Sequence, residues 1–473
     1  MTKLVKAALA VLVMAAMLGV ASPASARSTT ARVTNGNPSG PGSFAQAVED
    51  ANGRSSIRRI VFDRGLAVEV DGSVVFDGAQ GLQIDGNGST VSGAGLAPAA
   101  TWDGGLFVSA GHSRSISVKD LTFADSPNNG VAVFVPGSQT GTVHVDLRNV
   151  AVDGAQFHGV LVDAQEFSGF NTDDVPHPNC VDPHPFDSAA SLRVSLTDVD
   201  VTGAGSLAPD YDISIETGCP QDFDGVRVDE GGAGSLSAFV IGGSFDGNLA
   251  DGMELDETGD GDVAAWVFGA SFSGNGETVP VPFDGGFAED LDDGFDIDEA
   301  GAGDLLALVV NATVNGNFDE GLDFDEADAG NVVATVVATR ADGNEDEGMK
   351  ADEEGPGDLR FDLVYSASTN SASQDGVQVE EVDDGNVVVN VVKSTITGND
   401  SDGVKADESG NGDLRVDVVS SELSDNGSNA TDIEEADAGV GSVSVKRSKA
   451  LGYAGDEWNN DVDNEVLVGN TVD

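Results

Sequence analysis

Basic residues are scarce: 22 lysines and arginines stand against 82 aspartates and glutamates in 473 residues, a net charge of −60. That deficit excludes nucleic-acid binding and attachment to anionic membranes as main activities, because both need positive surface. Cysteine is almost missing, with only Cys180 and Cys219. They are not spaced as CxxC, which excludes a thioredoxin-type redox motif; in an exported chain such a pair is most simply a disulfide. Tryptophan and tyrosine number three each, too few for the aromatic signature of propeller blades. After residue 20 no apolar run is long enough to span a bilayer, so no membrane insertion is expected.

The one apolar run lies at the front. Lys3 and Lys6 precede Ala7 to Val20, and Ala24-Ser25-Ala26 follows as a small-residue cleavage pattern. Residues 1–26 therefore read as a signal peptide, with the exported chain beginning at Arg27. Charge is unevenly placed behind it: residues 27–220 hold 23 acidic and 10 basic residues, residues 221–473 hold 59 and 10.

What is abundant is repetition. Gly225-Val-Arg-Val-Asp-Glu, Gly252-Met-Glu-Leu-Asp-Glu, Gly294-Phe-Asp-Ile-Asp-Glu and Gly321-Leu-Asp-Phe-Asp-Glu are one phrase, continued at Gly348, Gly376, Gly403 and Ala430. The intervals are 27, 42, 27, 27, 28, 27 and 27 residues, and the long one carries an insertion, Glu277 to Leu291, expected as a surface loop. So fixed a period is the mark of a solenoid. Counting from the glycine, positions +1 and +3 are apolar and +2 and +4 polar, a period of two that predicts strands with one face inward. A second alternating strand follows a glycine at +9, as in Leu359-Arg-Phe-Asp-Leu-Val, and asparagines such as Asn317 and Asn344 recur at the next corner. The pattern predicts an all-β right-handed parallel β-helix of about 27 residues per coil. Its expected divisions are 27–80 (cap and first coil), 81–164 (irregular coils), 165–223 (an inserted loop region holding the disulfide), 224–450 (acidic repeats) and 451–473 (a cap or tail).

Val33-Thr-Asn, Gly42-Ser-Phe-Ala-Gln-Ala-Val-Glu-Asp-Ala-Asn, Ile60-Val-Phe-Asp and Gln80-Gly-Leu-Gln-Ile-Asp-Gly-Asn-Gly resemble the opening of secreted bacterial β-helix repeat proteins of the pectate-lyase-like superfamily. Phe44-Ala45 stands where that class usually has Leu-Arg. The resemblance implies an amphipathic helix over residues 43–52 capping the first coil, and is silent on substrate.

Stacking at about 4.8 Å brings equivalent carboxylates together. The +4 column is Asp229, Asp256, Asp298, Asp325, Asp352, Glu380, Asp407 and Glu434; the +5 column is Glu230, Glu257, Glu299, Glu326, Glu353, Glu381, Glu408 and Glu435. At +10 stand Asp262, Asp304, Asp358 and Asp413. Like charges at that spacing repel by roughly 1 kcal/mol in water and several times more at low dielectric. The expected remedy is calcium held jointly by the three columns at the Asp-Glu-x-x-x-Gly-Asp corners, since calcium takes six to eight oxygens in loose geometry. A solvated face suited to saline surroundings and raised carboxyl pKa values are the competing readings.

Catalytic candidates are fewer. His158, His177, Asp182 and His184 could gather as acid–base groups, and Arg227 beside Asp229 is the one plausible lyase-type base. Asn171-Thr-Asp-Asp resembles the first polygalacturonase motif and Asp182-Pro-His184 the Asp-Pro-His of mannuronan epimerases, but the companion motifs are missing. The expected function is a non-catalytic extracellular scaffold, adhesion or matrix element, monomeric, binding divalent cations and cell-surface or matrix glycans. The alternative is a carbohydrate-active enzyme on acidic polysaccharide.

Overall fold

Alternating side chains can be buried on one face only if the strands stack, and the described strands stack coil upon coil. The computed structural model describes residues 29–97, 99, 104–164, 187–206, 223–281, 286–290, 292–452 and 458–472. They wind as a right-handed parallel β-helix. Each coil of the C-terminal half gives three strands, such as Leu322–Asp328, Val332–Val337 and Arg340–Asp342. Each pairs in parallel with its counterpart one coil on: Leu322 with Met349, Val332 with Leu359, Arg340 with Ala367. The first strands form a 13-stranded sheet and the others a 25-stranded one. In earlier coils the second and third strands fuse, as in Thr140–Ala155 and Ala189–Ala204.

Positions +1 and +3 fill the core. Phe295, Ile297, Leu322 and Phe324 are fully buried, each worth about 1.5–3 kcal/mol of transfer free energy. Phe245, Phe272 and Phe295 stack with successive ring centroids 5.2 Å apart. At the corner after the third strand, asparagines form a ladder: Asn275 donates from its backbone and its amide to Oδ1 of Asn317, both at 3.1 Å, and Asn317 repeats this onto Asn344. This satisfies turn groups that no strand can reach. At the other corner the +9 glycine is obligatory, because a methyl group on Gly357 would stand 1.5 Å from the carbonyl oxygen of Gly330.

A helix, Phe44–Gly53, closes the N-terminal end. The Ser43 hydroxyl accepts from the Gln46 N–H at 3.1 Å, an N-cap, and Phe44, Ala47, Val48 and Ala51 are buried. Three boundaries differ from expectation. The insertion is a hairpin, Glu277–Val281 against Gly286–Asp290, because antiparallel pairing satisfies its backbone. Ala189–Ala204, inside the supposed loop region, is a strand paired with Thr140–Ala155, so the rod continues through it. Beyond residue 451, Asn464–Val468 pairs with Ser442–Lys446 as a further coil rather than a tail. The signal peptide, Cys180, Cys219, His177, Asp182 and His184 lie outside the described residues. Among the described residues no helix is long and apolar enough to cross a membrane.

Candidate cation-binding face

Strand parity sorts the carboxylates. Position +5 shares the inner face with +1 and +3, so Glu230, Glu257, Glu299, Glu326, Glu353, Glu381 and Glu408 are buried at 0–1% exposure. Position +4 points the other way, onto the outer face of the 13-stranded sheet. The +10 column, Asp262, Asp304, Asp358 and Asp413, is exposed. Its oxygens cap the next coil: Oδ1 of Asp304 accepts from the Asn331 N–H at 3.1 Å, and Oδ1 of Asp413 from the Val440 N–H at 3.0 Å. The joint calcium corner of +4, +5 and +10 is thereby corrected: alternation along the strand sends +4 and +5 to opposite sides.

The +4 column has other company. The residue before each repeat glycine, from Asp224, Asp251, Asp293 and Glu320 to Glu347, Asp375 and Asp402, shares its face, and so does +2. The −1 column also braces the coils, with Oδ1 of Asp293 accepting from the Glu320 N–H at 2.7 Å and Oδ1 of Asp375 from the Asp402 N–H at 2.6 Å. Sequence reasoning missed this column, although it repeats at the same period. The repeat phrase begins at its glycine, and this column stands one residue before it.

Position +2 decides the local charge. It is basic in three coils, at Arg227, Lys350 and Lys405. Arg227 reaches Oδ1 of Asp229 at 2.9 Å and Oδ2 of Asp224 at 3.4 Å, and also contacts Glu254 and Asp256 in the next coil. Lys350 lies 2.8 Å from Asp323 and 3.4 Å from both Asp325 and Asp352. Lys405 lies 3.3 Å from Asp407. Between Arg227 and Lys350 three coils are acidic at all three outer positions: Asp251, Glu254 and Asp256; Asp293, Asp296 and Asp298; Glu320, Asp323 and Asp325. Among the described residues no basic side chain pairs with the middle three.

Here the oxygens converge. Those of Glu254, Asp256 and Asp298 lie within 4.8 Å of one another, as do those of Asp293, Asp296 and Asp323, of Asp293, Asp319 and Glu320, and of Asp224, Asp251 and Glu254. Burial, then the neighbouring charges, pushes the carboxyls of Asp293 and Asp296 well above the usual range, Asp298 up to about 8 and Glu320 up to about 10. Asp325 is pushed up by burial too, and its Oδ1 is enclosed without a hydrogen-bond partner. Asp352 rises only to about 7, because Lys350 offsets its burial. On the inner face, burial and the facing glutamates lift Glu257 to about 10, Glu353 to about 9 and Glu408 to about 8. A set of hard oxygens without nitrogen or sulfur donors suits calcium rather than a transition metal.

Of the catalytic candidates, the structure brings two together. Nδ1 of His158 lies 3.3 Å from Oδ2 of Asp224, the atom that Arg227 also reaches, and both His158 and Asp224 are buried. Burial would raise the Asp224 carboxyl, but His158 and Arg227 hold it below its ordinary value. On the 25-stranded sheet a half-exposed aromatic pair, Phe239 and Trp266, stacks at 4.4 Å between centroids, with the Arg193 guanidinium 4.6 Å above Phe239.

No protein-family model matches the chain, and no curated protein matches it. Among solved structures it is similar to tailspike protein 3 of bacteriophage CBA120 (12% identity, 92% of this chain and 59% of that one, TM-score 0.35). It is also similar to tailspike protein 2 of an Escherichia coli O157:H7 bacteriophage (8%, 81% and 42%, 0.31). A third is PfbA, a surface adhesin of Streptococcus pneumoniae (10%, 87% and 93%, 0.33). The chain thus spans less than two thirds of either tailspike.

Proposed function

We propose that this chain is a non-catalytic extracellular β-helix whose outer acidic face is braced by calcium, serving as a rigid scaffold or adhesion element. The observation that carries the reading is the block of nine carboxylates between Arg227 and Lys350, six buried and Asp296, Asp298 and Asp325 half-buried, with no cation of the protein on its middle coil. Two positive charges per ion neutralise such a block, and bridging donors from successive coils would tie the coils together. Export rests on the expected signal peptide, and membership of the pectate-lyase-like superfamily on the opening motifs. For glycan contact, the Phe239–Trp266 pair offers two ring faces and Arg193 a cation to an acidic saccharide. A rod with repeated faces suits such multivalent contacts. Calorimetric titration of the chelator-treated protein with calcium tests the reading: a stoichiometry that falls in Asp293→Asn/Asp296→Asn supports it, and no binding, or binding unchanged in that variant, overturns it.

A second reading is favoured by the His158–Asp224–Arg227 cluster, which places an imidazole, a carboxylate and a guanidinium together at the first coil of the acidic face. It would make the chain a carbohydrate-active enzyme on acidic polysaccharide. Depolymerisation of soluble uronate polymers that is lost in His158→Ala would establish this reading and overturn the non-catalytic one.

A further inference from the structure

The outer columns leave one set of ionisable side chains unused. The eight +5 glutamates run in single file along the inner side of the wall, from Glu230 to Glu435. Strand pairing holds them in register, Glu257 beside Glu299, Glu299 beside Glu326 and Glu353 beside Glu381. All but the last are buried. Both carboxylate oxygens of Glu299, Glu326, Glu353, Glu381 and Glu408 are enclosed without a well-aligned donor; each carboxyl faces those of the neighbouring glutamates, and the backbone N–H groups of Gly303 and Gly355 stand beside Glu299 and Glu353. The other buried polar columns behave differently, for the asparagines accept N–H groups from the preceding coil and the −1 aspartates from the next one. The basic residues on this sheet, Arg227, Lys350 and Lys405, pair with carboxylates of its outer face, and Arg340, Arg360 and Arg415 pair with Asp342, Asp362 and Asp417 on the other sheet.

An enclosed, unpartnered carboxylate is among the costliest groups a fold can bury. An apolar residue would fill the inner face as well, as it does at +1 and +3. The corner packs closely about the acid: a methyl group on Gly303 or Gly330 would strike the carbonyl oxygen of Gly261 or Gly303 first, at 1.8 and 1.7 Å, and then Oε1 of Glu299 or Glu326 at 2.6 Å. A row of acids kept dry must either hold its protons or take a counter-charge from outside the chain.

We propose that the glutamate file is a second, dehydrated cation site, in which divalent ions of the calcium type lie between successive glutamates and tie coil to coil from within. Two neighbouring glutamates present four oxygens, hard donors of the kind calcium takes in irregular shells, and backbone carbonyls of the glycine corner beside them would supply the rest of a shell of six or more. With eight carboxylates and one dication for each two, the file is neutral with four ions. The inner and outer files lie on opposite sides of the same strands, so this site stands independently of the outer one.

Terbium, which substitutes for calcium, tests it. Its luminescence lifetime in water and in deuterium oxide counts the waters on each bound ion. The full exported chain loaded with terbium is expected to show two populations, one hydrated and one with no coordinated water. Glu326→Gln/Glu353→Gln, which keeps side-chain volume and removes charge, should abolish a large share of the dry population and lower bound calcium by about one ion per chain. Asp296→Asn/Asp323→Asn should deplete only the hydrated population; if it does not, the outer-face reading fails and the inner one survives. A wild-type chain with hydrated terbium alone overturns the proposal and marks the file as protonated. A dry population untouched by the glutamine changes overturns it as well. Should the glutamine variant fail to fold, the wild-type lifetimes decide by themselves.

Discussion

Asp298 and Glu299 are neighbours in the chain and lie on opposite sides of one wall. The +1/+3 alternation was legible in the sequence, and carrying it one step further assigns +5 to the interior. An acid at an inward position argues against that step on hydropathy alone, which is why the glutamates were grouped with the aspartates. Two predictions belong at this scale. At pH 9 in chelator, Asp296→Asn/Asp298→Asn should raise stability by about 1 kcal/mol for each repulsion relieved, and the gain on adding calcium should shrink; urea unfolding with and without calcium checks both. Gly357→Ala, whose methyl would stand 1.5 Å from a carbonyl oxygen of the preceding coil, should cost about 3 kcal/mol, read as a lower urea midpoint. An unchanged midpoint would mean that the corner can widen.

The coil is the element on which the fold rests, and its period was plain before any coordinates. Repeat glycines fixed where each first strand starts, and the recurring asparagine fixed one corner. The insertion was placed correctly but read as a loop, because Thr278, Val279 and Val281 make a weak strand signal interrupted by Pro280. The strand Ala189–Ala204 escaped because no repeat glycine announces it, although Leu192, Val194, Leu196, Val199 and Val201 alternate clearly. Deleting residues 277–291 removes 15 residues from the 42-residue interval and restores 27. The asparagine ladder already passes from Asn275 to Asn317 beneath the hairpin. The deletion variant should therefore keep the circular-dichroism spectrum and thermal midpoint of the parent within a few degrees. A collapse of the spectrum would show that the hairpin is part of the wall.

For the whole molecule the charge of −60 sets the conditions under which the rod stands. Folded-state pKa values are raised, at Asp352 to about 7, Asp298 and Glu347 to about 8, and Glu320 to about 10. A raised folded pKa gives stability that is fully present below the unfolded carboxyl value near 4 and is lost as pH climbs through the folded values. In chelator the protein should therefore weaken between about pH 5 and pH 10, and calcium should flatten that slope by taking the place of the protons; thermal midpoints across the range check this. The central claim is that bound calcium, and not mere screening, holds the acidic face together. Thermal unfolding of residues 27–473 at pH 8 in EDTA, in millimolar calcium, and in EDTA with molar NaCl tests it most directly. The account predicts a large rise in midpoint with calcium and a small one with salt. Equal rises would contradict it and leave the acidic columns as a solvated face.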